Sequence, residues 1–318
     1  MQITARQKHH LKLQIAYTPD ELEGLSDRLL LKWYEHGHPH GWREGVFYSD
    51  IVPAMAESPV ARHYDVVEEG QFGQTHILLE DLSKTHFNVK PHHMDRLTPA
   101  VFTGVLDAYV NFHARWWDRP TTRDADLLRP CGLGVSHEAL GAEHIHANAR
   151  FFASEAMPRW IDAHGEQSPR AWRRTWERAI EAWAELFRER TEGKRALTLI
   201  HGDAHMDNVL VPRQDGRTVI VDWEGLTLGL LGVWDVSRLL LCFPMTAAER
   251  RDLERILLPR YQRQVEEEGI VGYDLAMCHS DYRLCILANI PHVLVWGDPA
   301  YMEATMTAYG DWECDELL

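Results

Sequence analysis

The stretch from residue 197 to residue 224 carries more ionisable side chains than a connection between strands requires. An apolar run, Leu197–Ile200, leads into His201-Gly202-Asp203-Ala204-His205-Met206-Asp207-Asn208, and the apolar run Val209–Val211 follows it. Asp215-Gly216 is typical of a chain reversal, and the β-branched segment after it ends on Asp222. We predict a strand, a loop and two further strands here, with the loop and Asp222 facing one functional site.

Three side chains of this stretch are those that phosphoryl transfer to a hydroxyl group requires. One carboxylate orients the hydroxyl and accepts its proton, while an amide and a second carboxylate supply oxygen ligands for Mg²⁺. Asp203 and Asn208 have the D-x-x-x-x-N spacing of the protein-kinase catalytic loop, and Asp222 is placed like the metal-binding aspartate of D-F-G. We predict Asp203 as the catalytic base, and Asn208 and Asp222 as metal ligands.

Lys32 and Glu44 are the predicted counterparts of this loop near the N-terminus. Lys32 follows three leucines in a predicted strand over residues 28–34, so its ammonium group either has an acidic partner or points to solvent from an edge strand. Helical spacing over residues 42–55 places Glu44 on the next element. We expect Glu44 to pair with Lys32, as the helix glutamate and strand lysine of a kinase phosphate site do.

The motif His201-Gly202-Asp203-x-His205-x2-Asn208, followed by Val221-Asp222-Trp223-Glu224, resembles the aminoglycoside phosphotransferase/choline kinase-like family. The resemblance implies an α+β, bilobal protein kinase-like fold, with residues 1–84 as a β-rich nucleotide-binding lobe and residues 85–318 as a larger, mainly helical lobe for catalysis and substrate binding. It also implies that Leu78–Leu82 is the hinge, where Glu80 and Leu82 meet adenine, and that Asp235 is a structural aspartate.

The implied activity is a small-molecule kinase reaction. Such an enzyme transfers the γ-phosphate of ATP or GTP, with Mg²⁺, to a hydroxyl group of an antibiotic, an amino alcohol, a sugar or another alcohol. Acidic residues of the C-terminal third (Asp274, Asp281, Glu303 and residues 311–316) would suit a cationic acceptor or lie on solvated helix faces. His279, Tyr282 and Trp296 would suit an apolar alcohol, so the acceptor stays open.

The N-terminal segment departs from the family, which has a phosphate loop containing Gly or Ser between its first two strands. The first glycine of this chain is Gly24, and Thr4–Lys8 occupies the place of the loop. We predict a strand over residues 9–17, and the residues before Thr4–Lys8 leave no room for a full strand. Either the first strand and the glycine-rich loop are missing from the sequence, or this chain covers the phosphates differently.

Two other functions stay open at this point. His201, Asp203 and His205 alternate as the ligands of a metal-dependent hydrolase do, although a zinc site requires a further ligand at a recognisable spacing. The departure at the phosphate loop would also fit a non-catalytic nucleotide-binding protein of kinase fold, although such a protein has no need for base, amide and metal carboxylate together.

Composition limits the partners and the compartment. The formal net charge of −15 argues against nucleic acid as a partner, because phosphate-binding surfaces require a surplus of Lys and Arg. No apolar run reaches membrane-spanning length, and the five cysteines are scattered without a C-x-x-C pair. We expect a cytoplasmic protein whose partner is a small-molecule hydroxyl acceptor. The oligomeric state cannot be predicted from these patterns.

Overall fold

The computed structural model describes residues 2–7, 10–14, 26–35, 41–55, 58–67, 75–89, 97–118, 149–166, 168–193 and 195–318. Its N-terminal part is a five-stranded antiparallel sheet of order β1-β2-β3-β5-β4. The strands are β1 Gln2–Gln7, β2 His10–Gln14, β3 Arg28–Tyr34, β4 His63–Val67 and β5 Thr75–Glu80. Helix α1, Gly41–Val46, continues into a π-helical turn, Phe47–Ile51, and a 3-10 turn, Val52–Ala54.

Strand β1 corrects the prediction that Thr4–Lys8 takes the place of the phosphate loop with no full strand before it, because residues 4–7 belong to this strand. Gln7 pairs with His10, so two residues, Lys8 and His9, join β1 to β2. β1 is the edge strand of the sheet. Its sequence, QITARQ, has only two apolar side chains, so its hydrophobic alternation is too weak to predict a strand.

The central stretch contributes to two small sheets. Strand β6, His86–Asn88, pairs with β8, Val209–Pro212, which pairs in turn with β9, Val219–Ile220. The predicted reversal at Asp215-Gly216 is therefore confirmed as the β8–β9 hairpin. Strand β7, Thr198–Ile200, pairs instead with β10, Thr227–Leu230, and so lies apart from β8.

Eight α-helices fall within the described residues, and all but α1 follow β6. They are α2 Pro99–Trp116, α3 Met157–His164, α4 Arg170–Glu192, α5 Val233–Leu241, α6 Ala247–Glu267, α7 Leu275–Trp296 and α8 Pro299–Asp311. The apolar spacing of residues 246–268, 274–296 and 299–309 predicts three helices, and α6, α7 and α8 occupy these segments. The boundary predicted near residue 84 falls at a 3-10 turn, Leu82–Lys84, between β5 and β6.

The helical part is built around aromatic side chains. The three- and four-residue spacing predicts one helix face made of Trp172, Trp176, Ile180, Trp183 and Phe187. On α4 the last four are buried and Trp172 is partly buried, and α4 packs against α7. Each fully buried side chain of this size contributes about 1.5–3 kcal/mol to stability. The four cysteines in the described ranges are free and buried. None of the described helices combines the length and apolarity needed to cross a bilayer.

Candidate active site

Lys32 and Glu44 form the ion pair that the sequence predicted. Nζ of Lys32 on β3 lies 2.6 Å from Oε2 of Glu44 on α1, and the two residues are only 7% and 1% exposed. Burial acts to lower the pKa of Lys32, but the charges of Glu44 and Asp222 raise it above its ordinary value. The ammonium group therefore stays charged in the cleft, where it can bind an anion.

Asp222 and Glu224 meet the same ammonium group from the far side. Oδ1 of Asp222 lies 2.6 Å from Nζ of Lys32, and Oε1 of Glu224 lies 3.4 Å from it. Burial acts to raise the pKa of Asp222, but the Lys32 charge holds it below its ordinary value. Asp222 has φ 68°, a left-handed conformation that few non-glycine residues adopt, and such backbone strain concentrates at functional sites.

Trp223 anchors the segment that carries these two carboxylates. Its fully buried indole stacks on Phe47, with ring centroids 3.9 Å apart, and contacts His201 at 4.7 Å. Its backbone N–H donates to Oε1 of Glu44 at 3.3 Å. Glu44 is thereby held by both Lys32 and the backbone next to Asp222, which couples α1 to the predicted metal ligand.

Tyr34 belongs to this cluster and was missed by the sequence analysis. Its hydroxyl contacts Glu44 and lies 2.6 Å from Oε1 of Glu224. Burial and the Glu44 charge raise the pKa of Tyr34 well above its ordinary value, so it remains a hydroxyl donor. A tyrosine two residues after Lys32 on one strand must share its face, which is the sequence feature that could have identified it.

The loop after β7 is held through its backbone by Asp235, the predicted structural aspartate on α5. Oδ2 of Asp235 accepts from the N–H of His201 at 2.7 Å, and Oδ1 accepts from the N–H of Gly202 at 3.0 Å. His113 on α2 lies 3.0 Å from the same carboxylate. Asp235 and His113 are both fully buried, and their polar groups are satisfied by these hydrogen bonds. The loop backbone is therefore fixed by the interior of the helical part.

His201 uses both ring nitrogens within the loop. Nε2 lies 3.0 Å from the carbonyl of Val221, and Nδ1 accepts from the N–H of Asp203 at 3.3 Å. Burial lowers the pKa of His201, so the imidazole is neutral. Both ring nitrogens therefore have protein partners, which leaves neither available as a metal ligand and argues against the hydrolase alternative. In the described part of the chain, the group of three potential metal-ligating side chains that converges within 4.8 Å is Glu44, Asp222 and Glu224.

Asp203 is surrounded by cationic and amide groups. Oδ1 lies 2.6 Å from Nη2 of Arg238, and Oδ2 lies 3.3 Å from Nε2 of His205. Burial acts to raise the pKa of Asp203, but His205 and Arg238 have the larger, opposite effect. The pKa of Asp203 therefore lies well below its ordinary value. Asn208 donates its NH₂ group to the Asp203 carbonyl at 3.0 Å. Its amide oxygen is therefore the atom suited to a cation.

A cleft of 580 Å³ brings most of these groups together. Four apolar side chains from opposite walls line it, namely Leu30, Leu79, Leu210 and Val221. Lys32, Glu44, Asn208 and Asp222 line it as well. Its volume suits a nucleotide-sized ligand, and its apolar walls suit a planar base. Asp203 is not among the residues that line the cleft, but it contacts two that are, His205 and Asn208.

The predicted hinge residues lie at the end of β5, outside the lining of this cleft. The N–H of Glu80 donates to the carbonyl of Arg62 at 2.8 Å. Asp81 caps the 3-10 turn that begins at Leu82, with Oδ1 accepting from the N–H of Ser83 at 3.0 Å. Leu79, one residue earlier, does line the cleft.

Most of the acidic residues considered for a cationic acceptor have structural partners. Asp274 caps α7, Asp281 pairs with Arg190 at 2.7 Å, Asp311 pairs with Arg250 and Arg251, and Asp315 pairs with Arg178. Of the apolar alternatives, Tyr282 is buried against Glu254 and His279 packs on Trp312. The side chain of Trp296 lies outside the described part. None of these contacts identifies the acceptor.

Comparison with known proteins assigns the family. The sequence profile of the phosphotransferase enzyme family matches residues 47–267, which is more than half of the chain. The chain belongs to this family. The recognition based on residues 201–224 is thereby confirmed, and so is the prediction that the protein is an enzyme of the phosphotransferase class. No curated protein sequence matches this phosphotransferase.

Solved structures show the same fold at low sequence identity. A microcompartment-associated aminopropanol kinase is 14% identical, with a TM-score of 0.54 over 98% of this chain and 89% of its own. A thermostable mutant of an aminoglycoside phosphotransferase, in a ternary complex with ADP and hygromycin B, is 14% identical, with a TM-score of 0.53 over 98% and 93%. An amicoumacin kinase in complex with AMP-PNP and Ca²⁺ is 12% identical, with a TM-score of 0.53 over 99% and 88%. The predicted bilobal kinase-like fold is therefore confirmed.

Proposed function

We propose that this phosphotransferase transfers the γ-phosphate of ATP or GTP to a hydroxyl group of a small molecule. The observation that carries the proposal is the convergence of Lys32, Asn208 and Asp222 on one cleft, with Asp203 joined to it through Asn208. Kinase-fold relatives that bind ADP or AMP-PNP support the use of a nucleotide. The chemical identity of the acceptor alcohol is left to experiment.

In this reaction Asp203 orients the acceptor hydroxyl and accepts its proton. The acceptor oxygen forms a bond to the γ-phosphorus while the bond from that phosphorus to the β–γ bridging oxygen breaks, and the nucleoside diphosphate leaves with the electron pair. A carboxylate of low pKa is a weak base. Its main contribution is therefore orientation, with proton acceptance late in the transfer.

Asn208 and Asp222 would hold Mg²⁺, as the sequence predicted. The oxygen donors that both offer suit a hard cation: the amide oxygen of Asn208, because its nitrogen is bonded within the loop, and the Asp222 carboxylate. The bound ion would neutralise charge on the nucleotide phosphates. Lys32, positioned by Glu44, would bind the α- and β-phosphates at the same end of the cleft.

The nucleotide base would lie between the apolar walls of the cleft. Leu30 and Leu79 lie on the side of the sheet, and Leu210 and Val221 lie opposite. We propose that the carbonyl of Glu80 and the N–H of Leu82 meet the base edge, because the amide of Glu80 is already bonded to Arg62. These backbone groups do not by themselves distinguish ATP from GTP.

The test combines ligand binding with one substitution. At a hundred times Kd, ATP or GTP with Mg²⁺ should raise the apparent free energy of unfolding by about 2.7 kcal/mol, and the unfolding temperature should rise with it. Hydroxylated metabolites and antibiotics can then be screened in the presence of nucleotide. Asp203→Asn should cut phosphotransfer to the acceptor so found by about 10²–10⁴-fold while leaving nucleotide binding intact. Asp215→Asn, the same change in the exposed β8–β9 turn, is the matched control. Undiminished transfer by Asp203→Asn would overturn the proposal.

A further inference from the structure

The connection between β1 and β2 has no room for a glycine-rich phosphate loop. Gln7 pairs with His10, which leaves Lys8 and His9 to join the strands, and no glycine precedes Gly24. In related kinases this connection supplies phosphate donors. A nucleotide in this cleft must therefore find them elsewhere among the elements that cover it.

Strand β2 places two basic side chains over the cleft. His10 pairs with Lys32 of β3, and Lys12 pairs with Leu30. Directly opposed residues of an antiparallel pair project from the same face, with Cβ atoms about 4.5–5.5 Å apart. All four residues line the 580 Å³ cleft, so the two β2 side chains share a surface with the predicted phosphate lysine.

The position of each side chain follows from the direction of the cleft. Lys32 and Asp222 mark the phosphate end, so His10 flanks the phosphates. Leu30 marks the end that receives the base, so Lys12 lies nearer the base and the α-phosphate. Nζ of Lys12 is 3.7 Å from Oδ1 of Asp81, and the Lys12 side chain is 36% exposed while that of Asp81 is 5% exposed, so solvent and ligands reach this ion pair from the side of the lysine.

Charge balance argues for further cations at this end. The ammonium group of Lys32 is already matched by Glu44 and Asp222, each 2.6 Å away. Asp207 also lines the cleft. Even with one Mg²⁺ bound, a nucleotide triphosphate keeps a net negative charge, which additional basic donors at this end would offset.

We propose that His10 and Lys12 bind the nucleotide phosphates in place of a glycine-rich loop, with His10 beside Lys32 and Lys12 on the α-phosphate. This assignment rests on the proposed nucleotide-dependent function. It gives β2 a binding role that the family comparison does not assign, since the family match begins at residue 47.

Ligands of decreasing charge test the assignment. The dissociation constants of ATP, ADP, AMP and adenosine are measured with Mg²⁺ for the unchanged protein, His10→Ala and Lys12→Met. A hydrogen bond to a charged group is worth about 1.5–3 kcal/mol, so His10→Ala should weaken ATP and ADP by about tenfold or more. Lys12→Met should weaken ATP, ADP and AMP by about threefold, because a half-exposed charge is screened. Adenosine affinity should stay unchanged in both variants.

Two matched substitutions control for the loss of a basic side chain. His76→Gln alters a histidine of the same sheet that is ion-paired with Asp65 on the face opposite Leu79, and Lys84→Met removes an exposed lysine outside the cleft. Both should bind all four ligands normally. Normal ATP affinity in His10→Ala and Lys12→Met, or an equal loss for adenosine, overturns this inference. If the unchanged protein nevertheless transfers phosphate, the proposed function stands without the binding role of His10 and Lys12.

Discussion

Nη2 of Arg238 lies 2.6 Å from Oδ1 of Asp203, and Nη1 of the same guanidinium lies 2.9 Å from Sγ of Cys242. Arg238 is only 2% exposed and lies on α5 three residues after Asp235. Asp235 accepts the backbone N–H groups of His201 and Gly202. One helix therefore fixes both the backbone of the loop and the carboxylate of the predicted base.

Arg238→Gln should lower the rate of phosphotransfer more than nucleotide binding. The substitution removes the cation that orients the Asp203 carboxylate, and a misplacement of about 1 Å at a reacting group can cost about a hundredfold in rate. We expect kcat to fall by about 10–100-fold and the ATP dissociation constant to change by less than about threefold. Steady-state kinetics with the identified acceptor and direct ATP titration measure the two effects.

Arg250→Gln is the control for the loss of a buried guanidinium. Arg250 is 1% exposed and bonds to Glu254 and Asp311, away from the predicted site. Breaking a buried pair costs about 3–5 kcal/mol, so the unfolding temperature should fall. The kcat of the folded fraction should remain normal. An equal loss of kcat in both arginine variants would show that Arg238 acts through stability alone.

Tyr34→Phe should weaken nucleotide binding. The hydroxyl contacts Glu44 and Glu224, both of which contact Lys32, and a hydrogen bond to a charged group is worth about 1.5–3 kcal/mol. We expect the ATP dissociation constant to rise by about tenfold. Tyr64→Phe, which loses only a 3.2 Å bond from the N–H of Ser26, should bind ATP normally. Unchanged ATP affinity in Tyr34→Phe would remove the hydroxyl from the site.

The site residues predicted from the sequence either lie close together in one short segment or carry a charge that needs a partner. Asp203, Asn208 and Asp222 fall within one strand–loop–strand segment, and the partner of Lys32 was sought because an ammonium group after three leucines cannot be buried alone. Arg238 was missed because its contact with Asp203 depends on how α5 packs beneath the loop. Periodicity within α5 shows only that the helix is buried.

The strand pairings also divide into local ones, which the sequence predicts, and distant ones, which it does not. The β8–β9 hairpin follows from a local turn signature, whereas the pairing of β7 with β10 depends on contacts across the whole loop. Strand β1 was missed because an edge strand with few apolar residues shows little alternation. Each failure concerns an interaction that is distant in sequence or an element that buries little apolar surface.

Stability should fall as the pH drops from about 6.5 to about 4, and His292 should account for part of the loss. Burial lowers the pKa of His292 to about 4, and its Nδ1 lies 2.7 Å from the carbonyl of Ala288. Between its unfolded pKa of 6.5 and this value, the unfolded chain binds a proton that the folded chain does not. The difference between 6.5 and about 4 corresponds to at most about 3.4 kcal/mol.

Urea unfolding at several pH values measures this effect. In the unchanged protein the free energy of unfolding should decrease from pH 7 to pH 5, and His292→Leu should flatten the slope. Burial lowers the pKa of His201 as well, so some slope should remain. Identical slopes in His292→Leu and the unchanged protein would refute the assignment to His292.

Gly202→Ala should disable the loop, because two separate constraints require glycine there. Gly202 has φ 83°, and a Cβ at this position would lie 2.2 Å from the backbone carbonyl oxygen of Gly225, which cannot move aside as a side chain can. We expect a loss of more than about 1 kcal/mol in stability and a large fall in phosphotransfer as Asp203 is displaced. Gly193→Ala provides the comparison, since Gly193 has φ −70° and, among the described residues beyond its own helix and chain neighbours, no atom lies within 4 Å of the added Cβ. That substitution should be neutral or stabilise by about 0.4–1 kcal/mol. Normal turnover by Gly202→Ala would mean that the loop tolerates a shift against Gly225 and that the position of Asp203 is less tightly fixed than its contacts indicate.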